Sequence, residues 1–163
     1  MNWYDNAIIY HIYPLGFCGA PKFNDNSEVQ YRLDKVLDWI DHFKEMNVDA
    51  VYFGPVFESV EHGYDTTDYR QIDRRLGDNN SFKNICKVLH QNGIRVILDG
   101  VFNHVGRKFP QFTDIQQNGR NSQYCGWFQN LNFDGQSPCG DNFWYEGWNG
   151  HYNLVKLNLR NPD

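Results

Sequence analysis

Three polar side chains follow a short apolar run near the middle of the chain. The run, Ile94–Leu98, is rich in β-branched residues and too short for a helix, and Gly93 before it is typical of a helix end. It predicts a buried parallel strand. Asp99, Asn103 and His104 come next. Because α/β sheets and barrels bind substrates at the carboxyl ends of their strands, these residues are candidates for a functional site.

A second polar set lies in the long connection between Phe57 and Leu76. Its members carry carboxylate, imidazole or phenol groups: Glu58, Glu61, His62, Tyr64, Asp65, Asp68 and Tyr69. Connections of this length that lack secondary structure of their own are usually functional or disordered. A simpler interpretation stays open for both sets, since an Asp can cap a turn, a Tyr can pack in a loop and a His can be only structural. Polar clusters at strand ends mark sites only statistically.

The elements that position these residues are predicted from hydrophobic periodicity and cap residues. In chain order they are a strand at 7–14, a helix over about 28–46, a strand at 49–53, a helix from the cap residues 78–81 to the stop at 92–93, and the strand at 94–98. Ser27 begins a capping box for the first helix. The order β-α-β-α-β makes the strands parallel with right-handed crossovers, so the fold class is α/β.

The sequence changes character from Arg107 onward. Residues 107–153 are rich in Gly, Asn, Gln and aromatic residues and show no sustained periodicity. This predicts an irregular subdomain after the third strand. Its aromatic rings have two interpretations: they pack against each other, or some of them stack on sugar rings, because a large flat side chain combines an apolar face with a polar tip.

Length and charge exclude several classes of protein. The 163 residues suit one ordinary domain. They fall short of the roughly 250 residues of a complete (β/α)8 barrel. A net charge of −5 without a basic patch argues against nucleic acid and gives no reason to expect an anionic membrane as partner. No signal-peptide pattern and no apolar run of membrane-spanning length is present, so we expect a cytoplasmic protein with a neutral substrate.

The four cysteines show no metal-binding spacing. Cys18, Cys86, Cys125 and Cys139 include no Cys-x-x-Cys pair, so structural zinc is not expected. Free thiols are the main prediction for a chain of cytosolic character. A bridge between Cys125 and Cys139 is the minority alternative, because both lie in the same loop-rich region.

Three segments resemble motifs of the α-amylase family of glycoside hydrolases and transglycosidases. Asp99–His104 is similar to the family's first signature region, and the two stretches His62–Tyr69 and Ile72–Gly77 are similar to the segment after barrel strand two. Leu154–Asn158 resembles the short signature at the end of domain B. It is closest to the version in the neopullulanase and cyclomaltodextrinase branch, which has Pro where this chain has Val155. The motifs occur in family order, and the resemblance spans essentially the whole chain.

The resemblance implies a fold and a reaction. The fold is the N-terminal part of a (β/α)8 TIM barrel, its first three βα units, with an irregular domain B insertion after strand three. Residues 1–106 would be the partial barrel, 107–153 the domain B-like excursion and 154–163 the start of the return toward strand four. The reaction is retaining cleavage of α-glucans such as starch, maltodextrin or cyclodextrin-like substrates.

The resemblance also implies roles for single residues. Tyr64 would stack under the sugar at the cleaved position. Asp65 would accept hydrogen bonds from sugar hydroxyls in some branches, and His104 would donate to a hydroxyl of the same sugar. Asp99 would organise the site. Asn103 would offer its side-chain oxygen to a structural calcium ion, in members that bind one.

No catalytic residue is expected within this chain. A retaining glycosidase needs two carboxyl groups about 5–5.5 Å apart. In the family, the nucleophilic Asp and the acid/base Glu follow strands four and five, beyond Asp163, and we therefore expect the 163-residue chain alone to be inactive. The alternative is a non-catalytic carbohydrate-binding or scaffold protein of the same fold. A nucleotide-binding doubly wound domain is disfavoured because no Gly-rich loop follows the first strand.

Self-association is expected of a partial barrel. Three parallel strands leave the outer two with unpaired edges, and a barrel is stabilised by closing that edge. The apolar runs of the first and third strands suit burial on both faces. We therefore expect copies of the chain to cover each other's exposed edges or apolar faces.

Overall fold

The computed structural model describes residues 2–25 and 28–162. The strands are β1 (Ile9–Ile12), β2 (Ala50–Phe53), β3 (Phe57–Ser59), β4 (Thr66–Ile72), β5 (Arg95–Leu98), β6 (His104–Gly106), β7 (Gly147–Trp148) and β8 (His151–Lys156). The α-helices are α1 (Pro14–Phe17), α2 (Ile40–Glu45), α3 (Asn79–Gln91) and α4 (Pro110–Asn118). Short 3₁₀ helices cover Arg32–Trp39, Gly119–Asn121 and Cys125–Trp127.

The chain divides into two compact units. The first unit contains residues 1–58 and 70–100, and the second contains 59–69 and 101–163. The second unit thus takes in the loop 59–69 and begins at Val101, before the predicted boundary at residue 106. The units group residues that are close in space, whereas the predicted boundaries follow the chain. The assignment of 1–106, 107–153 and 154–163 to barrel, domain B and return stays a prediction.

A three-stranded parallel sheet is the centre of the first unit. Its order is β1-β2-β5, with Ile9 opposite Ala50 and Ala50 opposite Arg95, which confirms the three predicted parallel strands. The central strand β2 is buried, but Ile9 on β1 is 47% exposed and Leu98 on β5 is 39% exposed. The predicted burial of the strand 94–98 is therefore wrong for this chain, and β1 is partly exposed as well. Both are edge strands of the sheet, and an edge strand has a neighbour on one side only.

The first predicted helix is shorter than expected and partly 3₁₀. Residues 28–31 are not helical, and the capping box predicted at Ser27 lies outside the described residues. The main-chain N–H of Gln30 donates to the Arg74 carbonyl at 2.8 Å, and that of Leu33 donates to Leu76 at 2.9 Å. Hydrogen bonds to a distant loop thus replace the first helical turns. Val36 and Phe43 of the predicted apolar stripe are buried as expected, but Met46 at the end of the stripe is 46% exposed, so the prediction of a buried stripe is wrong at that residue.

Helix α3 begins and ends where the cap residues indicate. The Asp78 carboxylate accepts a hydrogen bond from the Ser81 N–H at 2.7 Å, and the Ser81 hydroxyl accepts one from the Asp78 N–H at 2.9 Å. This is a reciprocal capping box. The chain leaves the helix at Gly93, whose φ of 80° suits the left-handed end of a helix. The second predicted helix is confirmed.

The second unit has a separate core and more regular structure than expected. The second unit contains an antiparallel sheet of order β6-β8-β7. Its core combines apolar side chains of β6 and β8 with others from the segments between the strands: Val105, Phe109, Phe112, Ile115, Phe128, Phe143, Tyr145 and Val155. Helix α4 was not predicted, because it is only nine residues long and buries just Phe112 and Ile115. For the rings in this core, the mutual-packing interpretation is the correct one. The connection from Phe57 to Leu76 also has structure, since β3 and β4 form a two-stranded sheet.

Two further observations concern the cysteines and the lengths of the helices. All four cysteines are free, which confirms the main prediction for them. Within residues 2–25 and 28–162, no helix is long and apolar enough to cross a membrane.

Candidate functional site

The loop 59–69 is held together by Asp65. Its carboxylate accepts hydrogen bonds from the main-chain N–H groups of Glu61 at 2.8 Å and His62 at 3.1 Å, and it is almost fully buried. The turn continues through Gly63, at a φ of 91°. This is the turn-cap arrangement that the sequence left open for Asp65. Its predicted contact with a sugar hydroxyl stays a prediction.

Tyr64 is presented at the surface by this loop. Its side chain is 38% exposed, and its N–H donates to Nδ1 of His62 at 3.2 Å. The His62 and Tyr64 rings lie 6.1 Å apart, centroid to centroid. A half-exposed phenol ring on an anchored turn has one face available for stacking on a ligand.

Gly106 lets strand β6 pass directly against the same loop. A Cβ atom at this position would lie 2.4 Å from the main-chain oxygen of Asp65, closer than any real Cβ contact. Only glycine therefore permits this approach. The contact ties β6, which begins at His104, to the turn that carries Tyr64 and Asp65.

His104 is a buried histidine with one unpaired ring nitrogen. Nδ1 lies 3.1 Å from the Asn103 amide nitrogen, a donor, so Nδ1 acts as acceptor and the neutral ring carries its proton on Nε2. Nε2 is buried and has no hydrogen-bond partner among the described residues. Burial lowers the pKa of His104, and nearby His62 lowers it further, while the Tyr64 main chain and Asp65 oppose the shift.

Trp148 lies against His104. The two ring centroids are 5.3 Å apart with a 32° angle between planes, and His151 stacks with Trp148 at 6.1 Å and 29°. Strands β7 and β8 are joined by a two-residue turn at Asn149 and Gly150, with φ angles of 47° and 82°. Sequence reasoning counted Trp148 only among the aromatic residues of the irregular region. The Asn-Gly pair, a strong hairpin signal, could have placed it on a β-turn.

The predicted site residues do not all belong to the same unit. Asp99 belongs to the first unit, where it follows β5 and its N–H donates to the Phe53 carbonyl at 2.9 Å. Tyr64, Asp65, Asn103 and His104 all belong to the second unit. The organising role of Asp99 stays a prediction.

Calcium binding by Asn103 also stays a prediction. The Asn103 amide nitrogen faces His104, and its main-chain oxygen accepts a hydrogen bond from Leu157 at 3.0 Å. Over residues 2–25 and 28–162, no group of three or more His, Cys, Asp or Glu side chains could hold a metal ion. Calcium takes six to eight oxygen ligands. An ion here would therefore depend on amide and main-chain oxygens, and the side chains around Asn103 do not form a carboxylate site.

A polar cavity of about 370 Å³ lies beside the Asp65 turn in the second unit. Its lining includes His62, Asp65, Arg107, Lys108, Gln116 and Asn153. Arg107 is already engaged, because it donates to the Asp141 carboxylate at 2.6 and 3.0 Å. Burial would raise the pKa of Asp141, but hydrogen bonds from Arg107, Ser137 and Gln116 outweigh burial and lower it. The lining also includes Glu61, so two acidic side chains, Glu61 and Asp65, face two basic ones, Arg107 and Lys108, and their formal charges cancel.

Comparison with known proteins identifies the family. The model of the α-amylase catalytic domain matches residues 12–162, so the chain belongs to the α-amylase family. A cyclomaltodextrinase from a Bacillus species is 37% identical over 99% of this chain, and an intracellular maltogenic amylase from Bacillus subtilis strain 168 is 31% identical over 99%. Other relatives include a neopullulanase, consistent with the neopullulanase and cyclomaltodextrinase branch. The predicted family is confirmed.

Solved structures agree on the fold. A cyclic α-maltosyl-(1→6)-maltose hydrolase from Arthrobacter globiformis, in complex with maltose, superposes with a TM-score of 0.81 at 29% identity, over 99% of this chain and 40% of that protein. The chain spans 31% of the cyclomaltodextrinase and 29% of the maltogenic amylase. The three parallel strands of the first unit are thus the N-terminal part of the TIM barrel of this family.

Proposed function

We propose that this chain is the N-terminal part of a retaining glycoside hydrolase that acts on α-glucans, and that its second unit supplies groups that hold the sugar. The observation that carries the proposal is the buried, unpaired Nε2 of His104. A buried polar atom without a partner calls for an explanation, and a ligand that completes its hydrogen bond is one. Relatives named for cyclomaltodextrin and maltose chemistry support an α-glucan as that ligand.

Two of the three predicted sugar contacts, those of His104 and Tyr64, suit a neutral polyol. A neutral imidazole with its proton on Nε2 donates to a hydroxyl oxygen. The lowered pKa of His104 keeps the ring neutral near pH 7. The exposed ring of Tyr64 offers a flat apolar face to the C–H surface of a sugar ring. Asp65 would act mainly by holding the turn on which Tyr64 lies.

The reactive carboxyl pair is proposed to lie outside these residues. Retaining cleavage needs a nucleophile and an acid/base. Among the carboxylates of the site, Asp65 binds main-chain N–H groups and Asp141 binds Arg107. Both are committed to structure. We therefore expect this chain alone to bind α-glucan and to leave it uncleaved.

A titration with maltoheptaose tests the proposal. Chemical-shift changes of the ¹⁵N-labelled chain should give a dissociation constant of roughly millimolar order, about −4 kcal/mol of binding free energy. His104→Ala and Tyr64→Ala should each weaken binding about tenfold, or about 1.4 kcal/mol. His104→Gln, which keeps a donor, should recover part of the loss.

Two results would count against it. Tyr4→Ala removes an exposed tyrosine of the first unit and serves as the matched control, with unchanged binding expected. Equal affinity of wild type, His104→Ala and Tyr64→Ala would refute the assigned contacts. Glucan hydrolysis by the purified chain above the buffer rate would refute its inactivity.

Calcium and location complete the proposal. If calcium binds at Asn103, adding EDTA should lower the midpoint of thermal unfolding of the wild type and leave Asn103→Ala unchanged. An equal response of both proteins would contradict the site.

A cytoplasmic location, without nucleic acid or membrane as partner, is supported by the net charge of −5 and by the relative named as intracellular.

A further inference from the structure

The unpaired nitrogen of His104 is inaccessible in the arrangement described above. The side chain is 6% exposed, and Nε2 is shielded from solvent without a hydrogen-bond partner over residues 2–25 and 28–162. A sugar oxygen has to come within about 3 Å of this nitrogen to accept its proton in a hydrogen bond. Some group that covers Nε2 must therefore move before a sugar can bind there.

The indole of Trp148 is the aromatic group packed on this imidazole. The ring centroids are 5.3 Å apart. Trp148 itself is 41% exposed, so one part of the indole contacts His104 while another part meets solvent. A half-exposed ring packed on a buried one shields it from water.

The indole of Trp148 is stacked only on imidazole rings among the described aromatic side chains, at the end of a short strand. Strand β7 is only two residues long, and its pairing with β8 is irregular at Gly147 and Trp148. Within the described residues, the ring contacts of Trp148 are with His104 and His151, and the residue lies outside the apolar core of the second unit. Stacking on two imidazoles binds an indole more weakly than burial in a core does. The indole can therefore move while the core of the unit stays packed.

We propose that Trp148 is a movable cover on His104, and that an α-glucan displaces the indole before one of its hydroxyls binds Nε2. The inference rests on the proposed function, because it takes His104 as a sugar contact. Trp148 is then a positioning residue that acts through His104 and favours ligands that have a flat apolar face. A sugar ring that replaces the indole keeps a flat apolar face against the imidazole, whereas a ligand without such a face loses the stacking and gains nothing in return.

Chemical modification measures the cover directly. Diethyl pyrocarbonate carbethoxylates accessible neutral imidazole nitrogens, and peptide mass spectrometry gives the rate at each histidine. In the wild type, His104 should react far more slowly than the exposed His42 and His90. Trp148→Ala should accelerate the reaction at His104 at least tenfold and leave His42 and His90 unchanged. Trp148→Phe, which keeps a smaller ring, should give an intermediate rate.

The controls separate a local cover from a loosened fold. Trp3→Ala removes a tryptophan of similar exposure, 44%, from the first unit and should leave His104 protected. Tyr64→Ala tests whether the Tyr64 ring is the cover instead. The inference is overturned if Trp148→Ala and wild type react equally at His104, if Tyr64→Ala alone exposes it, or if all three histidines accelerate together.

Repeating these measurements with maltoheptaose distinguishes a failure of this inference from a failure of the proposed function. Maltoheptaose should slow the modification of His104 in Trp148→Ala, and it should bind that variant roughly two- to tenfold more tightly than wild type, because no indole has to be displaced. If His104 is modified faster in Trp148→Ala but maltoheptaose does not slow that modification, Trp148 is still the cover, and the proposed contact between His104 and the sugar is refuted. Weaker glucan binding with an unchanged rate at His104 would overturn the cover.

Discussion

In the first unit, the buried guanidinium of Arg75 donates to at least four oxygens of described residues. In the second unit, the buried Nε2 of His104 makes no hydrogen bond to a described residue. Arg75 binds both carboxylate oxygens of Asp73, at 2.8 and 2.6 Å, and the carbonyls of Pro21 and Lys22. Both side chains are almost inaccessible. Burial alone therefore does not distinguish a structural polar group from a candidate binding group. The completeness of its hydrogen bonds does.

Removing the carboxylate of Asp73 should have the largest effect. Asp73→Ala leaves the buried guanidinium of Arg75 without its ionic partner, and breaking a buried pair in this way costs about 3–5 kcal/mol. The free energy of unfolding, measured by urea denaturation, should fall by that amount. Asp134→Ala is the control, because it breaks the surface pair with Arg120 and should change little. Similar losses in the two variants would contradict a structural role for Asp73 and Arg75.

A substitution at Gly106 tests the candidate binding site of the second unit. Gly106→Ala places a Cβ against the main-chain oxygen of Asp65, so the turn that carries Tyr64 has to shift, at a cost of about 1–3 kcal/mol. We expect a lower unfolding free energy together with weaker maltoheptaose binding. Gly126→Ala is the matched control, since its new Cβ would meet only the side chain of Asn161 at 3.6 Å. Unchanged binding in Gly106→Ala would show that this contact does not position the turn.

Local signals predicted most of the first unit. The capping box at Asp78 and the Gly93 stop correctly placed α3, and apolar runs correctly placed the three strands. The first helix was predicted too long because its N-terminal N–H groups donate to Arg74 and Leu76, far along the chain. The periodicity of the sequence around the helix contains no information about contacts with that distant loop. The ion pair of Asp73 and Arg75 was likewise invisible, since adjacent opposite charges usually indicate a solvated surface.

The site was predictable only as far as its motifs extended. Asn103 and His104 were predicted as site candidates because they follow an apolar strand, and Tyr64 and Asp65 because they lie in a long polar connection. Their individual roles came from a family resemblance, and the structure assigns all four to one unit. Trp148 belongs to no motif. Its hairpin is signalled locally by Asn149 and Gly150, but its packing on His104 joins two segments that are distant in sequence. Tertiary contacts of this kind do not follow from periodicity or spacing.

The ion pair of Arg107 and Asp141 should give a smaller, pH-dependent effect. This ion pair of the second unit corresponds to the pair of Asp73 and Arg75 in the first unit. Its hydrogen bonds lower the pKa of Asp141 below the ordinary value near 3.8. The unfolded chain therefore binds a proton at higher pH than the folded one, so this stabilisation is complete above about pH 4 and is lost as pH falls through the folded pKa. The difference in unfolding free energy between wild type and Asp141→Asn should shrink over that range. A difference that is constant from pH 6 to pH 3 would contradict the shifted pKa.

Self-association of the chain should be the weakest effect, and it depends on the first unit alone. The outer strands of its parallel sheet carry exposed apolar side chains, Ile9 on β1 and Leu98 on β5. An unpaired strand edge with apolar side chains favours pairing with another chain, and a charged side chain there opposes it. Light scattering should show a weight-average mass that rises above the monomer value with concentration. The double variant Ile9→Lys and Leu98→Lys should return the mass to that of a monomer, whereas Met46→Lys, at an exposed position after α2, should not. A wild type that stays monomeric at high concentration and melts cooperatively would refute the prediction.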